Sequence, residues 1–138
     1  MNPDIAKILI SWWRANKTLY PWRLEEGSQK PYHVWLSEIM LQQTTVATVS
    51  GYFKRFIQKW PRLEDLSNAS LEEIFVLWQG LGYYSRARNL HKASKILKEN
   101  FPTTQNELIK IPGIGPYTSA AISSIAFNNY AVVIDGNV

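Results

Sequence analysis

The sequence predicts an all-helical chain, on three observations. Apolar residues recur at three- and four-residue spacing along most of its length, the period of a helix with one buried face. Alternating runs of β-branched residues between turns are nearly missing, the exception being Tyr130 to Ile134. Helix-starting and helix-ending residues then cut the periodic stretches into pieces of ordinary helix length.

A first helix is expected from Pro3 to Asn16, with Asn2 as cap and proline at the favoured first position. Tyr20 to Lys30, with Pro21 and Gly27 inside it and Pro31 after it, reads as loop. His33 to Leu41 and Thr45 to Trp60 read as the second and third helices, separated by Gln42, Gln43 and Thr44 and stopped before Pro61. Ser70 with Glu73 forms a capping box that opens Leu71 to Gln79, and Gly80 and Gly82 close it. Ser85 to Asn100 is a long helix ended by Phe101-Pro102. Thr104 with Glu107 is a second capping box. It opens a short helix to Ile111, and Pro112-Gly113-Ile114-Gly115-Pro116 then leads into a helix from Tyr117 to Phe127.

At 138 residues the chain fits one domain by the prior of about 150 residues each. With 46% apolar and 19% charged residues it is neither a disordered tail nor a linker. It has no cysteine, so this chain offers no disulfide, no thiolate nucleophile and no ligand for an iron–sulfur cluster. Its longest apolar run falls well short of the roughly 18 to 20 residues of a membrane span. Met1-Asn2-Pro3-Asp4 lacks the basic-then-apolar order of a signal peptide. A cytoplasmic protein with no membrane partner is expected. The net charge of +4 suits a polyanionic partner without requiring one. The six Trp and seven Tyr are unusual in so short a chain; Trp12, Trp13, Trp35, Trp60 and Trp78 read as core.

Five places could carry chemistry. Gly113 and Gly115, between two helices, let backbone approach a ligand while the following helix N-terminus offers amides to an anion; the alternative is a plain tight turn. Glu38 lies in Trp35-Leu36-Ser37-Glu38-Ile39-Met40-Leu41, where apolar residues surround the helix. Burial there would raise a carboxyl pKa and leave a general acid, unless the side chain turns outward or pairs with an arginine. Asp135, after the apolar run Ala131 to Ile134, reads either as a carboxylate facing a cleft or as an Asp-Gly turn. An acid and an anion are together what glycosidic bond cleavage through an oxocarbenium-like state uses. Arg86, Arg88, His91, Lys92, Lys95 and Lys98 form a basic cluster, in which Arg88, Lys92 and Lys95 share one helix face that could follow phosphates or face solvent. Tyr83 and Tyr84, after Gly80-Leu81-Gly82, place aromatics at a helix end, where they could stack on bases or join the core.

Five motifs in order, Tyr20-Pro21-Trp22-Arg23 with Pro31-Tyr32, then Val34 to Thr44 (VWLSEIMLQQT), Gly80 to Leu90 (GLGYYSRARNL), Ile111 to Thr118 (IPGIGPYT) and Ile134 to Val138 (IDGNV), carry a family resemblance over the whole chain. The chain resembles the N-terminal catalytic part of the adenine DNA glycosylases (MutY type) of the helix-hairpin-helix DNA glycosylase superfamily. The related endonuclease III looks different at two points: it lacks the Glu at the position of Glu38 and has a lysine at that of Tyr117.

The resemblance implies a six-helix barrel domain over residues 31–138, with the helix-hairpin-helix at about 104–127 and residues 1–30 belonging to a second half-domain. It implies monofunctional removal of adenine mispaired with 8-oxoguanine or guanine in double-stranded DNA, by a monomer. Glu38 matches the acid that protonates adenine on its imidazole edge. Asp135 matches the aspartate that stabilises the oxocarbenium ion, and Tyr117 the tyrosine that supports the sugar. Gln43 and Tyr83 match residues that wedge into the duplex on the 8-oxoguanine side, with Gln42 beside them on the DNA. Trp22 and Arg23 match the wall of the adenine pocket, and amides around Gly113 and Gly115 would hold phosphate. Tyr20 stands where the family usually has Leu, and Leu24 to Lys30 is longer than common. The family's 4Fe-4S cluster would have its ligands beyond Val138, as would the helices that complete the domain. With Asp135 three positions from the end, the chain alone is expected to be a weak enzyme or a DNA-binding remnant.

Overall fold

The computed structural model of the chain describes residues 3–131. These hold eight α-helices and one 3-10 turn: α1 (Pro3–Asn16), the turn Pro21–Arg23, α2 (Lys30–Leu41), α3 (Val46–Lys59), α4 (Leu63–Ser67), α5 (Leu71–Trp78), α6 (Tyr84–Leu97), α7 (Gln105–Leu108) and α8 (Pro116–Phe127). No strand occurs among the described residues, and no helix there is long and apolar enough to cross a membrane.

The fold is organised around α2. Every residue from Tyr32 to Met40 is buried, as a helix apolar on all sides requires. It packs against the 3-10 turn, α3, α6 and α8. Trp35, Leu36 and Met40 have no accessible surface. Tyr32 donates its hydroxyl to the Trp60 carbonyl at 2.9 Å. Burial, helped by the charge of Asp65, pushes that phenol above its ordinary range, so it stays a donor. On the far side, Phe56 lies edge-on to both Trp60 and Trp78 at 5.2 and 5.9 Å. Each such aromatic pair adds about 0.5 to 1.5 kcal/mol beyond the area it buries.

Side-chain caps open three helices, with the expected box complete at Ser70 and Glu73 and only its threonine half made at Thr104. Thr45 accepts from the Thr48 amide at the start of α3, Ser70 and Glu73 cap each other's backbone amides at the start of α5, and Thr104 accepts from the Glu107 amide at the start of α7. Several expectations need correction: α2 starts at Lys30, not His33, with Pro31 in its first turn, Pro21–Arg23 inside the expected loop is a 3-10 turn, and α7 ends at Leu108, not Ile111. The five-residue α4 has too few turns to show a period; Asp65 opens it by accepting from the Arg62 amide at 3.0 Å. Helix α6 ends at Leu97, not Asn100. Lys98 takes a left-handed φ of +60°, and the chain turns back to set Phe101 edge-on to Trp35 at 5.5 Å. Tyr130 and Ala131 form no strand; the rest of that run lies outside the described residues. The largest correction concerns α1. None of its residues is buried: Trp12 is 64% and Trp13 55% exposed, so neither joins the core.

Candidate active site

The C-terminal half of α2, the 3-10 turn, the α2–α3 turn and the N-terminus of α8 enclose a cavity of about 660 Å³. Glu38, Trp22, Arg23, Gln42, Gln43, Gly115 and Tyr117 line it, seven of the ten residues that the family resemblance assigns to the site. Gly113 and Tyr83 lie outside its wall, and Asp135 lies outside the described residues.

Glu38 is 7% exposed and reaches the cavity from the most buried helix of the fold. The side chain thus faces the cavity and not the outer surface. Trp22, 2% exposed, is the adjoining wall. Its ring stacks on Tyr20 at 5.2 Å and meets Phe53 edge-on at 5.6 Å, so it is held from both sides. Tyr20, where the family pattern has Leu, therefore extends the aromatic wall. Arg23 is exposed beside it. A carboxyl group next to a fixed aromatic face suits a planar heterocycle with a protonatable nitrogen.

The opposite wall comes from the hairpin between α7 and α8. Ile111 and Ile114 are buried and anchor it, and the Ile114 amide donates to the Ile111 carbonyl at 3.1 Å. Between them Gly113 has φ +81°, and a Cβ there would sit 3.0 Å from that of Asn89; both backbone and space demand glycine. Gly115 has an extended backbone that any residue can adopt, and a Cβ there would meet nothing within 4 Å. Its value is an open approach to the start of α8, where first-turn amides point out of the helix. Tyr117 follows, half-buried in that turn. Gln42 ties the two walls together by donating to Thr118 Oγ1 at 3.4 Å.

Sequence reasoning misread Arg86. Counted with the basic cluster of this helix, it is 8% exposed. Its Nη1 donates to the Ile39 and Met40 carbonyls at 2.8 and 2.9 Å. Its Nη2 donates to Thr44 Oγ1 and the Gly82 carbonyl, both at 3.3 Å. Burial holds the guanidinium below its ordinary pKa, against an opposing pull from Tyr83. The signal was present: Arg86 shares the buried stripe of Leu90, Ala93 and Leu97, whereas Arg88, Lys92 and Lys95 are exposed.

Residues 36–138 match the HhH-GPD superfamily of base excision DNA repair proteins. The chain belongs to that superfamily. It is 50% identical to the adenine DNA glycosylase of Mus musculus over 140 residues, covering 94% of this chain and 27% of the mouse protein. The adenine DNA glycosylase of Homo sapiens is 48% identical over 151 residues, covering 98% of this chain and 28% of the human protein. That of Buchnera aphidicola from Baizongia pistaciae is 46% identical over 136 residues, covering 94% and 38%. The chain thus spans well under half the length of these relatives, and the resemblance to the N-terminal part of adenine DNA glycosylases holds. Among solved structures, a thermostable thymine-DNA glycosylase superposes with a TM-score of 0.84 at 25% identity, covering 96% of this chain and 62% of its own. An endonuclease III in a non-covalent DNA complex shares the fold, with a TM-score of 0.76 at 24% identity over 99% of this chain and 64% of its own. The expected all-helical DNA glycosylase fold is the one found.

Proposed function

We propose that this chain is the N-terminal catalytic part of a monomeric DNA glycosylase that hydrolyses the N-glycosidic bond of adenine opposite 8-oxoguanine or guanine in duplex DNA. The observation that carries this reading is Glu38, nearly inaccessible yet lining a cavity against Trp22 and Tyr117. A cavity of about 660 Å³ lies within the 300–1,000 Å³ common for small-ligand sites, enough for a flipped-out base. DNA phosphate sits at the hairpin and the start of α8. The adenine enters along Trp22 and Arg23, and Glu38 delivers a proton to its imidazole edge. The C1′–N bond then breaks with its electron pair going to the base, and water adds to the oxocarbenium carbon and loses a proton. Asp135 is the carboxylate assigned to that cation, and Tyr117 supports the sugar.

A 4Fe-4S cluster needs thiolate ligands, and the chain has no cysteine; its residues do not fit one, and the chemistry proposed for Glu38 does not depend on it. The bare apolar face of α1 supports assigning residues 1–30 to a second half-domain.

The test is single-turnover adenine release by the intact natural protein on duplexes with adenine opposite 8-oxoguanine. Glu38→Gln keeps size but cannot donate the proton, so release should fall at least about 100-fold while DNA binding persists. Near-normal release would remove Glu38 from the mechanism, and DNA binding without release by the wild type would leave only a binding remnant. No lysine lines the cavity among the described residues, so borohydride should trap no covalent protein–DNA adduct at this site.

A further inference from the structure

Arg86 connects parts of the molecule that the proposed reaction needs to hold together. The carbonyls of Ile39 and Met40 belong to the last turn of α2, which ends at Leu41 and whose final carbonyls have no partner within the helix. A cation there also complements the negative end of the helix that presents Glu38. The second arm of the guanidinium reaches the α2–α3 turn at Thr44 and the loop before α6 at Gly82. Each of these segments contains a non-glycine residue in the left-handed region: Gln43 at φ +59° and Tyr83 at φ +50°. Such conformations persist only where their surroundings over-determine them. The guanidinium carbon also lies 5.5 Å from the Tyr83 ring centroid and 5.3 Å from that of Trp78. Trp78 Nε1 in turn donates to the same Gly82 carbonyl at 2.9 Å. Tyr83 itself is 60% exposed, so what is held is an outward-facing ring.

We infer that Arg86 is a positioning residue whose planar fork locks the α2–α3 turn and the Gly82–Tyr83 loop into one rigid edge, so that Gln43 and Tyr83 enter the duplex together while the adenine leaves the stack. The inference rests on reading the cavity as a base-flipping glycosylase site. Lysine cannot replace the fork, because its ammonium is a single nitrogen with three donors on a flexible stem and cannot reach the four acceptors that two guanidinium nitrogens share.

The experiment compares two duplexes with the intact natural protein: one with adenine paired opposite guanine, and one with adenine opposite an abasic gap, already partly unstacked. Arg86→Lys should lower single-turnover release about 10-fold on the paired duplex and less than about 3-fold on the gapped one, because only the paired base still needs unstacking. Equal losses on both, the signature of a merely structural role, would overturn the inference, as would no loss on either. Where Arg86→Lys fails to fold, Thr44→Val decides. It removes one acceptor from a half-buried site and should show the same preference at about 3-fold, and an unchanged ratio sinks the inference. A wild-type protein that folds, binds DNA and releases adenine from neither duplex overturns the glycosylase reading itself, which separates that failure from this one.

Discussion

Helices α1 and α2 are both rich in large apolar side chains, and their fates are opposite. Helix α2 is enclosed by four elements and buries nine consecutive residues. Helix α1 carries Ile5, Ile8, Leu9, Trp12 and Trp13, and none of them is buried. The stripe Ile5, Ile8, Leu9, Trp12 has the spacing of a helix face made to pack. Apolar periodicity is thus a demand for a partner and does not say which segment supplies it. In α2 the demand is met by elements both near and far in sequence, from the adjoining turn and α3 to α6 and α8, and the same enclosure isolates Glu38. Substitutions in the two helices should therefore differ in size even where the chemical change is the same.

The largest effect is expected at Trp35. It has no accessible surface and touches Phe101 edge-on at 5.5 Å, in the helix that presents Glu38. Trp35→Ala should cost about 3 to 5 kcal/mol of folding stability, the range for truncating a large core aromatic. Urea unfolding measures it, and a loss under 1 kcal/mol would mean that α2 is not the centre of the fold.

A smaller effect follows from the polar residues that α2 carries inside. His33 is 8% exposed, its ring edge-on to Phe53 at 5.4 Å and its Nδ1 without a hydrogen-bond partner. Burial lowers its pKa from 6.5, with Glu25 pulling the other way. The unfolded chain therefore binds the His33 proton more readily than the folded one. The His33 contribution to stability is complete above about pH 6.5 and declines as the pH falls from there toward the lowered folded value. His33→Gln, which does not titrate, should flatten the decline in thermal midpoint between pH 6.5 and 5. An unchanged slope would place its origin elsewhere.

What could be read from the sequence divides along the same line. The extent of α1, the capped starts of α5 and α7, and the burial of Glu38 were legible because each is set by a few neighbouring residues. Glu38 in particular has Trp35, Leu36, Ile39 and Met40 around it within one turn on either side. Trp12 and Trp13 were misread because tryptophan is rarely left in water, and no local pattern reports a partner's absence. Arg86 was misread because charge outweighed its place on a buried stripe; its acceptors Ile39, Met40 and Thr44 lie more than forty residues away. Helix α4 was too short to carry a period. The hairpin was legible as a glycine requirement at Gly113, where φ is +81°, while Gly115 has open space beside it and a backbone angle that any residue adopts.

The smallest effect is expected at Trp12. In the 138-residue chain its ring is 64% exposed and takes little apolar surface out of water. The hydrogen bond it supports, from Asn16 Nδ2 to its carbonyl at 2.8 Å, uses backbone and survives truncation of the ring. Alanine has a higher helix propensity than tryptophan by a few tenths of a kcal/mol, which offsets what the ring contributes. Trp12→Ala should therefore change the unfolding free energy of this chain by no more than about 0.5 kcal/mol, as exposed substitutions do. Measured in the intact natural protein, the same substitution reports whether the stripe on α1 is covered there. A cost of about 3 kcal/mol would give it a buried partner, since that is the scale of an aromatic core truncation. A cost of that size in the 138-residue chain itself would instead mean that α1 already packs within it, and the contrast with α2 would be gone.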